Sequence, residues 1–190
     1  MNLTPADKAT LLKLARDSIT HGMEHGVPLP VSLEEHSDIL QQPGASFITL
    51  HLNQELRGCI GSLAPHRPLI KDVAQNAFSA AFRDPRFTPV RRDELDTLHI
   101  HIEVLSPTQL LQFGSETELQ RMIRPGIDGL VLRDGVYSGT FLPSVWQSLP
   151  DVQTFLQQLK RKAGLPANYW SDSLEVERYT TESFEEPVQE

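Results

Sequence analysis

Apolar and polar residues alternate in two stretches of the chain with the two-residue period of a half-buried β-strand. One stretch runs from Ile48 to Asn53 and the other from Leu98 to Val104, and every second residue in each is apolar. Asn53 and Gln54 fit a tight turn after the first stretch. The pattern therefore predicts that "LRGCIGSL" returns as the second strand of a hairpin.

A second hairpin is predicted further along the chain. "GLVLRDGVYSGTFLP" has two short apolar runs on either side of Asp134 and Gly135. An Asp-Gly pair between such runs is a strong short-range signal for a hairpin turn.

Helix signals occur in four other segments. Thr4 with Asp7 three residues later, and Ser115 with Glu118 three residues later, are typical helix starts. "PLIKDVAQNAFSAAF" has an apolar stripe at helical spacing, and "LPDVQTFLQQLKRKAGL" ends in basic residues followed by Gly164. "HGVPLPVSLEEHSDILQQPGAS" is predicted to be a connector, and an acidic tail is predicted from about residue 175.

These elements define the expected fold class. Hairpins and helices follow one another without the regular strand-helix alternation of a parallel doubly wound fold. We therefore expect an α+β protein with antiparallel sheets. A length of 190 residues fits one domain, or two small lobes in one chain.

Composition and charge narrow the classes of function. The single cysteine cannot form an internal disulfide, and the first residues lack the basic start and apolar run of a signal peptide. No stretch approaches the roughly 18 consecutive apolar residues of a membrane span. We expect a cytoplasmic protein, and the net charge of −8 disfavours non-specific binding to nucleic acid or anionic membrane.

The charge is unevenly distributed. The segment from Arg57 to Arg92 contains seven Lys or Arg residues and two acidic residues. This local excess of positive charge suits a small anionic ligand or an acidic partner surface. Arginines scattered over separate faces would give the same count, and both interpretations stay open.

A metal site on the strand predicted from Leu98 to Val104 is one candidate for chemistry. His99, His101 and Glu103 share the polar face of that strand, and His51 could join them from its own strand. Two imidazoles and a carboxylate can hold a metal ion. The same alternation is expected of any solvated sheet face, so we assign no metal and no cofactor.

Cys59 is the sharper candidate. It lies one residue from Gly58 and two from Gly61 in "LRGCIGS". Because glycine has no side chain, these neighbours would leave the sulfur of Cys59 accessible. Strict alternation places Arg57, Cys59 and Gly61 on one face and Leu56, Gly58 and Ile60 on the other, so that Arg57 could favour a reactive thiolate. A small, buried cysteine in a crowded strand is the competing interpretation.

The hexapeptide "LRGCIG" resembles the hallmark of the AMMECR-type family, which supplies protein A of the AmmeMemoRadiSam set. "DPRFTPV", "RDELDTLHIHIEVLSP", "PGIDGLVL", "GTFLPSV" and "FLQQLKRKAGL" follow in the family's order. The resemblance runs from the first helix to about Trp170. Ser144 stands where the family pattern has a glutamine, and His99 and His101 are not family features.

This resemblance implies more than the residues alone. It implies one domain over residues 1–190 with two lobes, each an antiparallel sheet flanked by helices, and a cleft between them faced by the hexapeptide. It implies a Memo-type protein and a radical S-adenosylmethionine enzyme as partners. The matching positions are Leu56, Arg57, Gly58, Cys59, Ile60 and Gly61, then Asp84, Pro85, Arg86 and Phe87, then Glu103.

Two hypotheses of function follow. In the first, the protein is an enzyme, or the substrate-holding component of one, whose reaction is not defined by the sequence. Cys59 would be the nucleophile or covalent carrier, Arg57 would favour its thiolate or bind an anion, and Glu103 would be a general acid or base if its strand pairs beside the Cys59 strand. In the second, the protein is a non-catalytic adaptor or peptide-binding module in which Cys59 is structural. A nucleic-acid-binding role for the patch from Arg83 to Arg92 ranks below both.

Overall fold

The computed structural model describes residues 2–187 and is an α+β structure. The helices are α1 (Pro5–His25), α2 (Asp38–Gln41), α3 (Leu69–Phe82), α4 (Glu116–Met122) and α5 (Val152–Lys162). The strands are β1 (Pro43–Leu52), β2 (Glu55–Gly61), β3 (Arg67–Pro68), β4 (Leu98–Leu105), β5 (Gln109–Leu110), β6 (Gly129–Asp134), β7 (Tyr137–Phe141), β8 (Glu175–Tyr179) and β9 (Thr181–Glu185). Short 3-10 helices cover Leu33–Glu35, Arg92–Thr97 and Pro143–Gln147.

The chain divides into two compact units. Among the described residues, the first unit consists of residues 2–105 and 182–187, and the second of Ser106–Thr181. The first contains a sheet in the order β2-β1-β4-β9, with β3 paired to β1, and the second a sheet in the order β5-β8-β6-β7. The expectation of antiparallel sheets flanked by helices is confirmed. No helix within residues 2–187 has the length and apolar character needed to cross a membrane.

The predicted β1–β2 hairpin is present, with one irregularity. Asn53 and Gln54 form the turn, with φ angles of 51° and 68°. The register shifts between Leu50 and His51, so that Gly58 lies opposite Leu50 while Leu56 lies opposite His51. Directly paired residues share a face of the sheet. The prediction that Leu56 shares a face with Gly58 is therefore wrong, because the bulge leaves Arg57 without a partner on β1.

Helices α1 and α3 cover one face of the first sheet. The predicted capping box at Thr4 and Asp7 is confirmed at the start of α1. The alternating apolar residues of β1 and β4 point into the same core as the apolar stripes of the two helices. The fully buried members of this core include Leu11, Ile48, Leu50, Ile70, Val73, Ala77, Ile100 and Ile102.

A buried polar cluster joins α3 to β1 and to the end of β2. The Asp72 carboxylate accepts hydrogen bonds from the Ser46 amide (2.9 Å), the Ser46 hydroxyl (2.8 Å) and the Ser62 hydroxyl (2.8 Å). Asn76 Nδ2 donates to Asp72 at 2.9 Å, and Arg67 Nε lies 3.2 Å from it. Asp72 and Ser46 are completely buried. The cluster therefore fixes the carboxyl end of the "LRGCIGS" strand against the helix.

The second unit contains the second predicted hairpin. Asp134 pairs with Tyr137, so the two turn residues are Gly135 and Val136. The predicted start of α4 at Ser115 is confirmed, since its side chain accepts a hydrogen bond from the Glu118 amide. This unit has its own apolar core, which includes Leu119, Leu130, Leu132, Phe155, Leu156 and Val176.

Strands β8 and β9 occupy the segment that the sequence presents as an acidic tail. β8 pairs with β5 and β6, and β9 completes the first sheet. The apolar residues of β8 that are buried, Val176 and Tyr179, are three residues apart. The sequence of this strand therefore lacks a two-residue alternation, and its charged residues resemble a solvated tail.

Candidate functional site

Cys59 lies in β2, the edge strand of the first sheet. It is a free, half-buried cysteine and pairs with Thr49 on β1. The Thr49 hydroxyl lies 3.2 Å from the sulfur. Because Ile48 and Leu50 point into the core, Thr49 and Cys59 lie on the opposite face of the sheet. The thiol is therefore on the face that does not carry α1 and α3.

The "DPRF" segment holds the backbone of Cys59 from the open side of the edge strand. The Cys59 amide donates to Asp84 Oδ2 at 2.9 Å, and the Cys59 carbonyl accepts from Arg86 Nη2 at 3.3 Å. Arg86 also donates to both carboxylate oxygens of Asp84, at 3.0 and 2.7 Å. Asp84 and Arg86, which we call the clamp, thus satisfy the two backbone groups that a further strand would otherwise pair.

Arg57 does not approach the Cys59 thiol. Its guanidinium donates to both oxygens of Glu94, at 3.0 and 2.9 Å, and to the carbonyls of Thr88 and Pro89. The Arg57 guanidinium lowers the pKa of Glu94. Arg57 therefore ties β2 to the loop that follows the clamp. The cation beside Cys59 is Arg86.

The electrostatics of the site keep the Cys59 thiol protonated. Burial raises its pKa above the ordinary value, and the negative charges of Glu103 and Asp84 raise it further. The Thr49 hydroxyl and the Arg86 guanidinium act in the opposite direction and are outweighed. The Arg86 side chain holds the pKa of Asp84 far below its usual range, so the clamp carries both charges near neutral pH.

Glu103 is separated from the Cys59 strand by β1. β4 pairs with β1 and not with β2, and Glu103 lies opposite Phe47. The condition under which Glu103 would be a general acid or base next to Cys59 is therefore not met. The β4 residue in line with Cys59 and Thr49 is His101, whose Nε2 lies 2.6 Å from the Ser183 hydroxyl.

Two histidines of this face, His99 and His101, contact side chains of the neighbouring strand β9. His99 lies opposite His51, and His99 Nε2 is 3.2 Å from Glu185. Burial lowers the pKa of His51 and of His101, which favours their neutral forms at pH 7. Within residues 2–187 no group of three or more His, Cys, Asp or Glu side chains is arranged to hold a metal ion.

The glycines on either side of Cys59 serve packing. A Cβ on Gly58 would lie 2.2 Å from the carbonyl oxygen of Ala80 in α3, and a Cβ on Gly61 would lie 2.3 Å from the ring of Phe47. Gly58 and Ile60 face the core, and Ile60 packs against it. Gly58 and Ile60 therefore do not line the Cys59 face.

The other matched positions lie near the clamp or at the bulge. Leu56 is 42% exposed and lies on the Cys59 face opposite His51. The ring of Phe87 is half-buried beneath the Arg86 guanidinium, with 5.4 Å between the two groups. The structure thus brings Cys59, Asp84, Arg86 and Phe87 together.

Thr49 and Glu94 contact Cys59 and Arg57, and the sequence does not single either of them out. Thr49 is one polar residue in an alternating strand, and only the β1–β2 register shows that it meets Cys59. Glu94 lies 37 residues from Arg57 in the chain, and the pairing of the two has no local signal.

The charges of the clamp should move the Cys59 pKa in opposite directions. Asp84→Asn removes a negative charge and frees Arg86, so we expect the thiol pKa to fall. Arg86→Gln removes the positive charge, so we expect it to rise further. The pH dependence of iodoacetamide alkylation measures both shifts.

Asp93→Asn is the matched control, because Asp93 is exposed and pairs with Arg91. Its thiol pKa should equal that of the wild type. A shift in the same direction for Asp84→Asn and Arg86→Gln would refute this description of the electrostatics.

These features define a class of protein: a two-unit α+β chain in which an edge-strand cysteine is held by an Asp-Pro-Arg segment. The family model AMMECR1 matches residues 12–184. The chain therefore belongs to the AMMECR1 family, as its sequence resemblance indicates.

Similar proteins from archaea agree with this assignment. The chain is 35% identical to Protein MJ0810 of Methanocaldococcus jannaschii over 82% of this chain and 80% of that protein. It is 37% identical to a protein of Thermococcus gammatolerans over 93% of this chain and 88% of that one. The crystal structure of uncharacterized protein PH0010 from Pyrococcus horikoshii has a TM-score of 0.86 at 35% identity, covering 93% of this chain and 90% of that chain.

Proposed function

We propose that the Cys59 face of the first sheet holds a substrate in a cytoplasmic modification pathway. In this proposal the protein acts with a Memo-type protein and a radical S-adenosylmethionine enzyme. The partners come from the family resemblance. The location of the site comes from the geometry around Cys59.

One observation carries the location of the site. The two most distinctive motifs of the sequence, "LRGCIG" and "DPRF", meet at the backbone of one half-buried cysteine. Asp84 is almost completely buried, whereas the Arg86 side chain is 55% exposed. A fixed carboxylate with an exposed guanidinium and a half-buried thiol beside it forms a surface able to orient a polar ligand.

Because the Cys59 thiol is protonated, a role in holding a substrate is favoured over a role as a thiolate nucleophile. Because burial raises the pKa of Cys59, the thiol is protonated near neutral pH and can donate a hydrogen bond. A covalent role would require transfer of this proton to a base when substrate binds. The Thr49 hydroxyl, in contact with the sulfur, is placed to receive or pass on that hydrogen bond.

Deletion strains test the proposed pathway. We expect that cells lacking this protein, the Memo-type protein or the radical S-adenosylmethionine enzyme lose the same small molecule or macromolecular modification. Untargeted mass spectrometry of the three strains makes the comparison. A product lost in the other two strains and retained in the strain lacking this protein would refute the proposal.

A second candidate function is that of a non-catalytic adaptor. The observation that favours it is the packing role of Gly58 and Gly61, which explains both glycines without a ligand. Cys59 would then be needed for its size alone.

Two substitutions at Cys59 separate the candidates. If Cys59 acts through chemistry specific to its sulfur, both Cys59→Ser and Cys59→Ala should fold and abolish activity of the partner system. If it holds a substrate by its hydrogen bond, Cys59→Ala should abolish the activity and Cys59→Ser should retain part of it. If the protein is an adaptor, both variants should fold and retain that activity. Circular dichroism checks the fold, and product formation measures the activity.

A further inference from the structure

A groove of about 390 Å³ lies in the first unit, away from Cys59. Its apolar wall comes from the loop segment Pro28–Leu29–Pro30–Val31 and from Ala74 of α3. Its polar wall contains Arg67, Lys71 and Gln75, and none of the lining residues is acidic. The volume lies within the range of small-molecule sites.

The apolar wall is anchored to the two helices. The Ser18 hydroxyl, completely buried in α1, donates to the Ala74 carbonyl at 2.7 Å and accepts from the Leu29 amide at 3.1 Å. Leu29 and Val31 also pack against the core of the unit. The segment is therefore a fixed wall, and a ligand would find the groove already formed.

The two cations of the groove differ in how they are held. Arg67 Nε lies 3.2 Å from the buried Asp72 carboxylate, which fixes the guanidinium in place. Lys71 is exposed, and within residues 2–187 its ammonium makes no hydrogen bond or ion pair. A positive charge without a protein partner, beside an apolar wall, is complementary to an anion with an apolar body.

We propose that this groove binds a small organic carboxylate, with its apolar chain against Pro28–Val31 and its carboxylate at Lys71 and Arg67. The ligand class follows from the pairing of an apolar wall with two cations and no acidic lining residue. This site shares no residue with the Cys59 face, and the proposal is independent of the proposed function.

Octanoate is the probe for the test. Its binding is measured by the amide chemical shifts of the ¹⁵N-labelled full chain. We expect saturable shifts at the amides of Leu29, Val31 and Gln75. Lys71→Gln should weaken binding about tenfold, since a charge-assisted hydrogen bond is lost. Lys13→Gln is the matched control, because Lys13 is an exposed lysine of α1 outside the groove, and it should leave the affinity unchanged.

Two further probes separate charge from apolar contact. Octanamide has a similar apolar chain without the charge, and inorganic phosphate has charge without the chain, so both should bind at least about tenfold more weakly than octanoate. Equal affinity of either probe and octanoate would overturn the proposal. It would also be overturned by undiminished binding to Lys71→Gln, or by the absence of saturable shifts.

Discussion

Replacing Asp72 by Ala is expected to lower the free energy of unfolding by about 3–5 kcal/mol. The carboxylate is completely buried and is the shared acceptor of hydrogen bonds from Ser46, Ser62 and Asn76, with Arg67 alongside. Its removal would leave these donors without their acceptor inside the first unit. Urea unfolding followed by circular dichroism measures the change.

The control for this prediction is Asp93→Ala. Asp93 is also an aspartate paired with an arginine, but its side chain is 72% exposed, so its loss should leave the free energy of unfolding close to the wild-type value. Equal effects of the two substitutions would mean that the Asp72 cluster does not stabilise the fold as described.

Gly58→Ala is expected to destabilise the protein by about 2 kcal/mol or more. The added Cβ would lie 2.2 Å from the Ala80 carbonyl oxygen, which belongs to the backbone of α3 and cannot rotate away. Either β2 or α3 must move, and movement of β2 would also shift the Cys59 amide from Asp84. The same urea experiment tests the loss of stability.

Two other glycines supply the comparison. At Gly114 an added Cβ would be 3.4 Å from its nearest neighbour, Glu118 Oε2, so Gly114→Ala should be close to neutral. At Gly61 the obstacle is the Phe47 ring, a side chain, so Phe47→Ala should relieve Gly61→Ala and should not relieve Gly58→Ala. A neutral Gly58→Ala would show that β2 and α3 are not packed this closely.

Much of the fold follows from local patterns in the sequence. The alternation in β1 and β4, the capping box of α1, the Ser115 cap of α4 and the apolar stripe of α3 are short-range signals, and each one lies where it is predicted. The bulge at Arg57 could not be predicted in this way, because it depends on which residues of two strands pair. β8 was hidden because burial of Val176 and Tyr179 does not follow a two-residue period.

The candidate site was only partly predictable for the same reason. Cys59 stands out as the single cysteine between glycines, and the "DPRF" segment stands out by its resemblance to the family motif. The two segments meet where Asp84 and Arg86 bind the Cys59 backbone. This contact is long-range, so no local pattern in the sequence indicates it. The pairing of Arg57 with Glu94, and of Thr49 with Cys59, has the same origin.

We propose that this protein acts through the face of the first sheet that carries Cys59. The most direct test is untargeted mass spectrometry of cells in which the chain is replaced by the Cys59→Ala variant, with folding of that variant checked separately. We expect the folded variant to lose the same molecule or modification as a deletion strain. A wild-type profile in cells that carry folded Cys59→Ala would contradict it.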